Sequence, residues 1–289
     1  MKYLNLFSSS RRRIPDGHIL VAVLAGLALL PVACSGRDAT DTSDGGALHP
    51  SFSLSRPEFG ELIAALPQPI QDQILARPVA FLDQLARLAA EPEELTRLVD
   101  KEHPLAADHA PDDLANLDNY ADRLDLSRSG HRLREILLPD LLEMVDTARA
   151  AGVTLLISST YRSYHYQEQV YERWVEQLGR EEADRVSARP GRSQHQLGTV
   201  VDFGCICNEF AETDAGRWIA SNARRYGFSL SYPNGYESLT GYSYESWHFR
   251  YIGKTAAGME REFFAGIQQH LIEFVDGSAD AFRSVLIEI

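Results

Sequence analysis

The segment from 193 to 202 reads SQHQLGTVVD, and a second segment from 245 to 248 reads ESWH. Together they supply four side chains that suit a metal site: His195, Asp202, Glu245 and His248. Two neutral imidazoles and one carboxylate suit a catalytic Zn²⁺, because three protein ligands leave the fourth tetrahedral position open for water. A glutamate that does not bind the metal can accept a proton from that water. The two segments therefore predict the zinc centre of a hydrolase.

A predicted strand overlaps the end of each segment. An apolar run that includes Asp202 predicts a strand from 199 to 203, and His248 begins a predicted strand from 248 to 252. A buried carboxylate without a partner costs free energy, and a bound cation would supply the partner that Asp202 needs. We therefore expect a small antiparallel sheet to carry the zinc site.

Helical patterns flank these strands. Further elements are predicted as helices at 137–150, 164–178, 215–226 and 263–275, and as short strands at 153–158 and 228–230. The elements do not alternate as regular βαβ units, so the predicted fold class is α+β, with helices around a small sheet. The pattern from Pro57 to Asp100 is also helical, which predicts a segment that packs on the catalytic region or on a partner.

The chain is expected to divide into five parts. These are a signal peptide with a lipobox (1–34), a flexible tether (35–51), a helical N-terminal segment (52–100), a zinc-peptidase-like catalytic region (101–260) and a C-terminal helix (261–289). The tether is predicted because this stretch is rich in Gly, Asp, Thr and Ser and has no hydrophobic period.

The first residues have the features of an export signal. Three arginines at 11–13 precede an apolar run from Ile19 to Leu30, which is too short to span a bilayer as a helix. Cys34 follows a small residue at the end of this region and resembles a lipobox cysteine, with Pro31 where that motif usually has Leu. We expect lipidation at Cys34; the alternatives are ordinary signal cleavage nearby and an uncleaved signal anchor. All three place the catalytic region outside the cytoplasm.

The net charge of the chain excludes some partners. At −13, the charge disfavours binding to nucleic acid or to an anionic membrane surface. Contact with a membrane is therefore expected only through the N-terminal leader or its lipid anchor.

Two cysteines, Cys205 and Cys207, follow Asp202 closely. Their spacing would give poor chelate geometry around a metal. A disulfide between them is possible in an oxidising compartment, although in an extended strand their Cα atoms would lie about 6.6 Å apart, near the upper limit for a bridge. We expect them to serve in structural packing beside the site, without a catalytic part.

The wider motif is more specific than the ligand spacing. The pattern Ser-x-His-x-x-Gly-x-x-x-Asp, followed by Glu-x-Trp-His and preceded by STYRSY at 159–164 and by Gln167, resembles the VanY-type D-alanyl-D-alanine carboxypeptidases. These belong to a wider group of zinc peptidases (the LAS group) that includes lysostaphin-like endopeptidases and the hedgehog signalling domain. The resemblance covers roughly residues 101 to 252. The family usually has Ala where this chain has Val200.

The resemblance implies roles for particular residues. Three residues would bind the metal: His195, Asp202 and His248. Glu245 would activate the water as the general base and then protonate the departing amine. Arg162 would either grip the terminal carboxylate of the substrate or stabilise the oxyanion. Two neutral side chains, Ser193 and Gln167, would add hydrogen bonds to the same end of the substrate, and Trp247 would wall the pocket.

The implied activity is removal of the C-terminal D-alanine from peptidoglycan stem peptides, with Zn²⁺ as cofactor. The same motifs would serve L,D-carboxypeptidase action on tetrapeptides or endopeptidase action on cross-links. A zinc-stabilised binding module without turnover is a further alternative, against which the presence of Glu245 and Arg162 argues. With the export signal, these readings place the chain in a bacterial cell envelope. The oligomeric state stays open, and a His₂Asp donor set would also accept other divalent ions.

Overall fold

The structure, a computed structural model, describes residues 47–285, except the side chains of residues 282 and 283. The predicted signal peptide, the lipidation at Cys34 and most of the predicted tether lie outside the described residues. They stay predictions.

One mixed sheet forms the centre of the fold. Its strands are β2 (Asp125–Leu126), β4 (Leu156–Ser159), β5 (Val200–Phe203), β6 (Phe228–Leu230) and β7 (His248–Tyr251), in the spatial order β2-β4-β5-β7-β6. All neighbouring pairs are antiparallel except β2 and β4, which are parallel. The predicted α+β class is confirmed: the strands that carry the candidate ligands are antiparallel, and β2 adds one parallel pair at the edge of the sheet. A parallel pair needs a long crossover connection, and the chain between β2 and β4 supplies one.

This crossover contains a second, two-stranded sheet and a helix. Strand β1 (Leu114–Asn116) pairs antiparallel with β3 (Arg132–Arg134), and helix α4 (Leu138–Ala150) follows. Pro139 occupies the first turn of α4, where a missing backbone N–H costs nothing. The predicted helix at 137–150 therefore forms within one residue of its expected start.

The other helices surround the sheet. They are α1 (Arg56–Ile63), α2 (Gln68–Ala76), α3 (Pro78–Leu88), α5 (Tyr164–Leu178), α6 (Arg180–Val186), α7 (Asp214–Asn222), α8 (Glu237–Thr240), α9 (Lys254–Phe263) and α10 (Gln268–Val285). The predicted closing helix is present as α10, but its expected start at 263 is wrong, because α9 ends there and α10 begins at Gln268. Ala265 and Gly266 have positive φ angles of 56° and 72°, which end α9 and separate it from α10. No helix within residues 47–285 is long and apolar enough to cross a bilayer.

Two apolar clusters hold the fold together. The sheet core packs alternate residues of the strands, such as Val201, Phe203 and Phe249, against α4 and α7. The helical core joins α1–α3 to α9 and α10 around Phe81, which is fully buried. The N-terminal and C-terminal helices therefore share one core. The predicted boundaries at 100 and 260 stay predictions.

Candidate metal centre

Two neighbouring strands carry two of the candidate ligands. Asp202 on β5 and His248 on β7 lie directly opposite each other in the antiparallel register, so their side chains share one face of the sheet. His195 lies on the 3₁₀ turn Gln194–Leu197 that precedes β5. Gly198 ends this turn with a φ of 72°, and a Cβ there would come within 2.9 Å of a neighbouring leucine side chain. The motif glycine therefore permits the close turn that brings His195 back towards Asp202.

The three side chains meet in the interior. Asp202 Oδ2 lies 3.2 Å from His195 Nε2, and Asp202 Oδ1 lies 3.2 Å from His248 Nδ1. One donor atom from each residue lies within 4.8 Å of the others, and all three residues are buried. This is a set of two imidazole nitrogens and one carboxylate that could hold a divalent metal ion.

Outer hydrogen bonds fix both imidazole rings. His195 Nδ1 lies 2.7 Å from the carbonyl oxygen of Thr160, and His248 Nε2 lies 3.3 Å from Oε1 of Gln194. Because both partners are acceptors, each of these nitrogens carries the proton, which leaves His195 Nε2 and His248 Nδ1 free to bind a metal. Neither Thr160 nor Gln194 was predicted as a site residue, although both lie within the quoted motifs.

The electrostatics of the cluster also favour a cation. Burial, reinforced by the positive charge of Arg162, lowers the pKa of His195 to about 4. Burial opposes the charged form of His248 too, but hydrogen bonds with Asp202 and Glu245 outweigh it and raise the pKa of His248 to about 9. Burial would raise the pKa of Asp202, yet the adjacent histidines hold it well below its usual range. A charged carboxylate therefore lies in the protein interior.

The hydrogen bonding of the buried polar atoms in the cluster also fits a bound metal ion. Within residues 47–285, His195 Nε2 and Asp202 Oδ1 are buried polar atoms without a well-oriented hydrogen bond, although each lies 3.2 Å from an ionisable neighbour in the cluster. Such atoms are costly unless another ligand satisfies them. Both atoms face the middle of the three-residue cluster, so a divalent ion there would satisfy both.

Glu245 lies at the rim of this cluster. Its Oε2 is 3.2 Å from His248 Nδ1, and its side chain keeps 16% of its surface exposed. The backbone N–H of Glu245 donates to the carbonyl of Tyr232, which fixes the segment before β7. A partly exposed carboxylate adjacent to a metal site can exchange protons with water.

Arg162 is held on the other side of the cluster. Its Nη1 donates to Oε1 of Gln167 at 3.0 Å, and its Nη2 lies 3.9 Å from Asp202 Oδ2. Gln167 is buried, and its Nε2 donates to the carbonyl of Ala188 at 2.6 Å. The amide of Gln167 therefore orients Arg162, while the buried Nε of Arg162 has no hydrogen-bond partner among the described residues.

A cleft of about 500 Å³ opens over these groups. It is lined by every site residue that the sequence predicted within the described region: Arg162, Gln167, Ser193, His195, Asp202, Glu245, Trp247 and His248. Tyr232, which was not predicted from the sequence, also lines the cleft, with its ring centre 4.8 Å from that of His248. The structure thus brings the predicted residues together, and their individual roles stay predictions.

The two cysteines require a correction. Cys205 and Cys207 form a disulfide, and Cys205 is exposed, so the expected packing role is wrong. Strand β5 ends at Phe203, and the chain is bent rather than extended through 204–207, so the two Cα atoms lie only 5.2 Å apart. The estimate for an extended strand therefore did not apply. Ser246 Oγ lies 3.4 Å from the carbonyl oxygen of Cys207, so this loop contacts the segment that carries Glu245.

The fold and the site define a class of protein: an α+β chain with a His₂Asp metal centre in an open cleft. Residues 130–254 match the family model described as VanY, D-alanyl-D-alanine carboxypeptidase. This range includes the metal-centre residues, Arg162 and Glu245.

Curated relatives give the same result. YodJ of Bacillus subtilis (strain 168) is 34% identical over 57% of this chain and 63% of its own length. A D-alanyl-D-alanine carboxypeptidase of Enterococcus faecalis (strain ATCC 700802 / V583) is 31% identical over 55% of this chain and 59% of its own length. The chain therefore spans less than two thirds of these two relatives. The bifunctional D-Ala-D-Ala dipeptidase and carboxypeptidase VanXYC of Enterococcus gallinarum is 30% identical over 54% of this chain and 83% of its own length.

Solved structures share the fold. The LD-carboxypeptidase LdcB is 31% identical with a TM-score of 0.56, and the match covers 61% of this chain and 84% of that one. The VanYB structure in complex with D-alanine-D-alanine is 30% identical with a TM-score of 0.51, over 63% and 97% of the two chains. A variant of the D,D-pentapeptidase VanY from the VanB-type cassette, in complex with Zn(II), is 28% identical with a TM-score of 0.52, over 62% and 98%. The chain belongs to the VanY family of D-alanyl-D-alanine carboxypeptidases.

Proposed function

We propose that the chain is a zinc-dependent carboxypeptidase that removes the C-terminal D-alanine from peptidoglycan stem peptides. The observation that carries the proposal is the content of one cleft: a buried His₂Asp donor set, a rim carboxylate from Glu245 and an oriented guanidinium from Arg162. A metallo-carboxypeptidase uses a group of each kind: a metal, a general base and a cation for the terminal carboxylate.

His195, Asp202 and His248 would hold the metal through Nε2, a carboxylate oxygen and Nδ1. When bound, Zn²⁺ supplies Lewis acidity that lowers the pKa of water and polarises a carbonyl. Glu245 is the nearby carboxylate that can accept the proton of the attacking water and then return it to the departing amine. Thr160 and Gln194 would keep the two imidazoles in the orientation that this requires.

Arg162 would bind the terminal carboxylate of the substrate. A guanidinium can form two parallel hydrogen bonds with a carboxylate, and Gln167 already fixes the plane of this one. The buried Nε of Arg162 supports this role, because it gains a partner when a carboxylate binds. Ser193 lines the same cleft and can add a neutral hydrogen bond, and Trp247 closes its wall. In this assignment Gln167 acts mainly through Arg162.

The choice of substrate rests on the relatives. The family model is described by its action on D-alanyl-D-alanine, and a similar structure was solved with D-alanine-D-alanine bound. The choice of metal rests on a similar structure solved with Zn(II) and on the donor set of this chain.

The test uses the purified full chain loaded with zinc and a muramyl pentapeptide that ends in D-Ala-D-Ala. We expect release of D-alanine, its loss with a chelator and its return when zinc is restored. Glu245→Gln should retain zinc but lower kcat by about 10²–10⁴-fold, since that is the usual contribution of a general base. Glu172→Gln, an exposed glutamate on α5, is the matched control and should leave kcat unchanged. A folded, zinc-loaded chain that releases no D-alanine would contradict the proposal.

L,D-carboxypeptidase action is a second candidate, favoured by the similarity to LdcB. It uses the same chemistry on a tetrapeptide whose terminal D-alanine follows an L-centre. Mass spectrometry of products from matched tetra- and pentapeptides distinguishes the two activities, because each removes one D-alanine from a different parent.

We also propose that the chain is exported and anchored in the cell envelope by a lipid on Cys34. The support is the cationic and apolar leader in the sequence, together with a family that acts on cell-wall peptides. Intact-mass analysis of the mature protein from membranes is the test. An unmodified N-terminus beyond Cys34 would contradict lipidation without affecting the proposed activity.

A further inference from the structure

Positively charged side chains line the cleft, although the protein as a whole is negatively charged. The chain carries a net charge of −13, yet three arginines line the cleft: Arg128, Arg162 and Arg173. Among the described residues that line it, the only carboxylates are Asp202 and Glu245, and both belong to the metal centre. Beyond the metal centre, the charged side chains of this cleft are therefore all cationic.

Two of these arginines are free to bind a ligand. In the described part of the chain, Arg128 and Arg173 form no ion pair; Arg128 donates only to the carbonyl of the adjacent Ser129. Two arginines that flank the cleft-lining residues Ser187 and Ala188 are neutralised internally. Arg185 pairs with Glu182 and Arg189 pairs with Asp184. Two cations without an ion pair therefore lie on the wall of the cleft, where an acidic ligand would meet them.

Helix α5 sets the distance between the cations. Gln167, which binds Arg162, and Arg173 both line the cleft and lie six positions apart on this helix. At 1.5 Å per residue this separation is about 9 Å along the helix axis. An extended peptide advances about 3.3 Å per residue, so Arg173 lies about three residues from the Arg162 end.

The same wall is also apolar. Tyr166, Val170, Trp174 and Leu178 follow one another at four-residue spacing along α5 and line the cleft, and all but Val170 are exposed. Residues at this spacing share one helix face. An apolar strip beside a cation suits a ligand that combines an alkyl side chain with a terminal carboxylate.

We infer that the cleft selects acidic peptides, in which the third residue from the C-terminus carries a free side-chain carboxylate that Arg173 binds and Arg128 attracts. The inference rests on the proposed function, because it takes Arg162 as the site of the terminal carboxylate. It adds a specificity element that lies outside the metal centre.

The experiment compares two synthetic pentapeptides that end in D-Ala-D-Ala and differ at one group. The third residue is diaminopimelate in one and its side-chain amide in the other, so size is matched and one charge is removed. We expect a higher kcat/KM for the acid, through KM, by about two- to fivefold for each arginine, as for exposed ion pairs. The preference should shrink as NaCl rises from about 0.02 M to about 0.5 M, because salt screens exposed charges.

Variants assign the effect to the two arginines. Arg173→Gln and Arg128→Gln should each lower the preference for the acid, and the double variant should remove it, with kcat and zinc content unchanged. Arg87→Gln, an exposed arginine on α3 outside the cleft lining, is the matched control and should keep the preference. If Arg128 and Arg173 had only a structural role, their variants would still show the NaCl dependence of the preference for the acidic peptide.

The experiment distinguishes failure of this inference from failure of the proposed function. Equal cleavage of both peptides by the wild-type chain would overturn the inference and leave the proposed function standing. If neither peptide is cleaved, the proposed function fails, and calorimetry of both peptides with the metal-free full chain then decides the inference. If the acidic peptide binds more tightly than the amide, and Arg173→Gln abolishes this difference, the inference is supported. Equal binding of the two peptides would overturn the inference.

Discussion

The metal centre and the helical core are stabilised by opposite kinds of interaction. The metal centre places two imidazoles, one carboxylate and one guanidinium in the interior, where each needs a specific partner at a fixed distance. The helical core is apolar and is packed around Phe81, with four phenylalanine rings nearby. A change in the first region should therefore alter chemistry, and a change in the second should alter stability.

The two regions meet at β7. His248 begins this strand, and Arg250, two residues later, is fully buried. Arg250 Nη2 donates to the carbonyls of Leu95 and Arg97, at the end of the N-terminal helical segment. One strand thus holds a candidate metal ligand and a hydrogen-bonded connection to the helical segment. Because β7 joins the two regions, substitutions in each of them test how far chemistry and stability are independent.

The largest effect is expected from Asp202→Asn. The change removes the only negative ligand while keeping the shape of the side chain, so metal affinity and kcat/KM should each fall by about 10³-fold or more. Zinc titration and peptide cleavage measure these losses. Asp214→Asn, at an exposed position on α7, is the control and should change neither. Unchanged zinc affinity in Asp202→Asn would show that the metal centre lies elsewhere.

Phe81→Ala should affect the other region. Phe81 is fully buried in the helical core, so its truncation should lower the free energy of unfolding by about 3–5 kcal/mol. The KM of the folded enzyme should not change, because Phe81 belongs to the helical core and none of the residues of that cluster lines the cleft. Denaturant unfolding and steady-state kinetics give the two readouts. Val79→Ala, at a half-exposed position of the same helix, should cost less than about 0.5 kcal/mol.

These regions also differ in how well the sequence predicts them. Helix α5 has the predicted ends, 164 and 178, because Ser163 caps its first turn by accepting from the backbone N–H of Tyr166, and Gly179 follows its last residue. The eight predicted cleft residues come together because their motifs are local and lie at the ends of strands. The turn at Ala265 was missed because a non-glycine residue with positive φ has no clear sequence signal.

Contacts that depend on tertiary structure were also missed. Arg128 and Arg173 look like ordinary surface residues in the sequence, and only the fold places them on the wall of one cleft. The parallel pairing of β2 with β4 has the same origin, because strand order depends on the path of the crossover. The disulfide at 205–207 depends on the bend after β5.

The pH dependence of metal binding should follow His248. In the metal-free chain its pKa is raised to about 9, so the ring is protonated at neutral pH and must lose that proton to bind a metal. The apparent zinc affinity should therefore rise about tenfold per pH unit up to pH 9 and then level off. Competition with a chelator of known pH dependence measures this slope.

Protonation of His248 also affects the free energy of unfolding of the metal-free chain. A folded-state pKa above the unfolded value stabilises the metal-free chain below pH 6.5, and this stability is lost as the pH rises through about 9. Zinc-loaded chain should not lose stability over this interval, because the metal replaces the proton. A flat zinc affinity between pH 7 and 9 would contradict the assignment of His248 Nδ1 as a ligand.

The smallest effect is expected from the disulfide loop. Cys205 and Cys207 close a ring of only three residues, so their loss should change the free energy of unfolding far less than the change in Phe81. The loop nonetheless places Ile206 in the cleft, and Cys207 and Asn208 accept hydrogen bonds from Ser246 Oγ, next to Glu245. In the double variant C205S/C207S we expect kcat/KM to fall about threefold, as for loss of one weak hydrogen bond.

Zinc affinity should not change in that double variant, because the loop contacts the Glu245 segment and not the three ligands. Ser246→Ala supplies the matched test, since it removes the same hydrogen bonds from the other side and should give a similar loss that does not add to the first. Full additivity of the two losses would mean that the loop acts on the cleft through Ile206 alone, independently of Ser246.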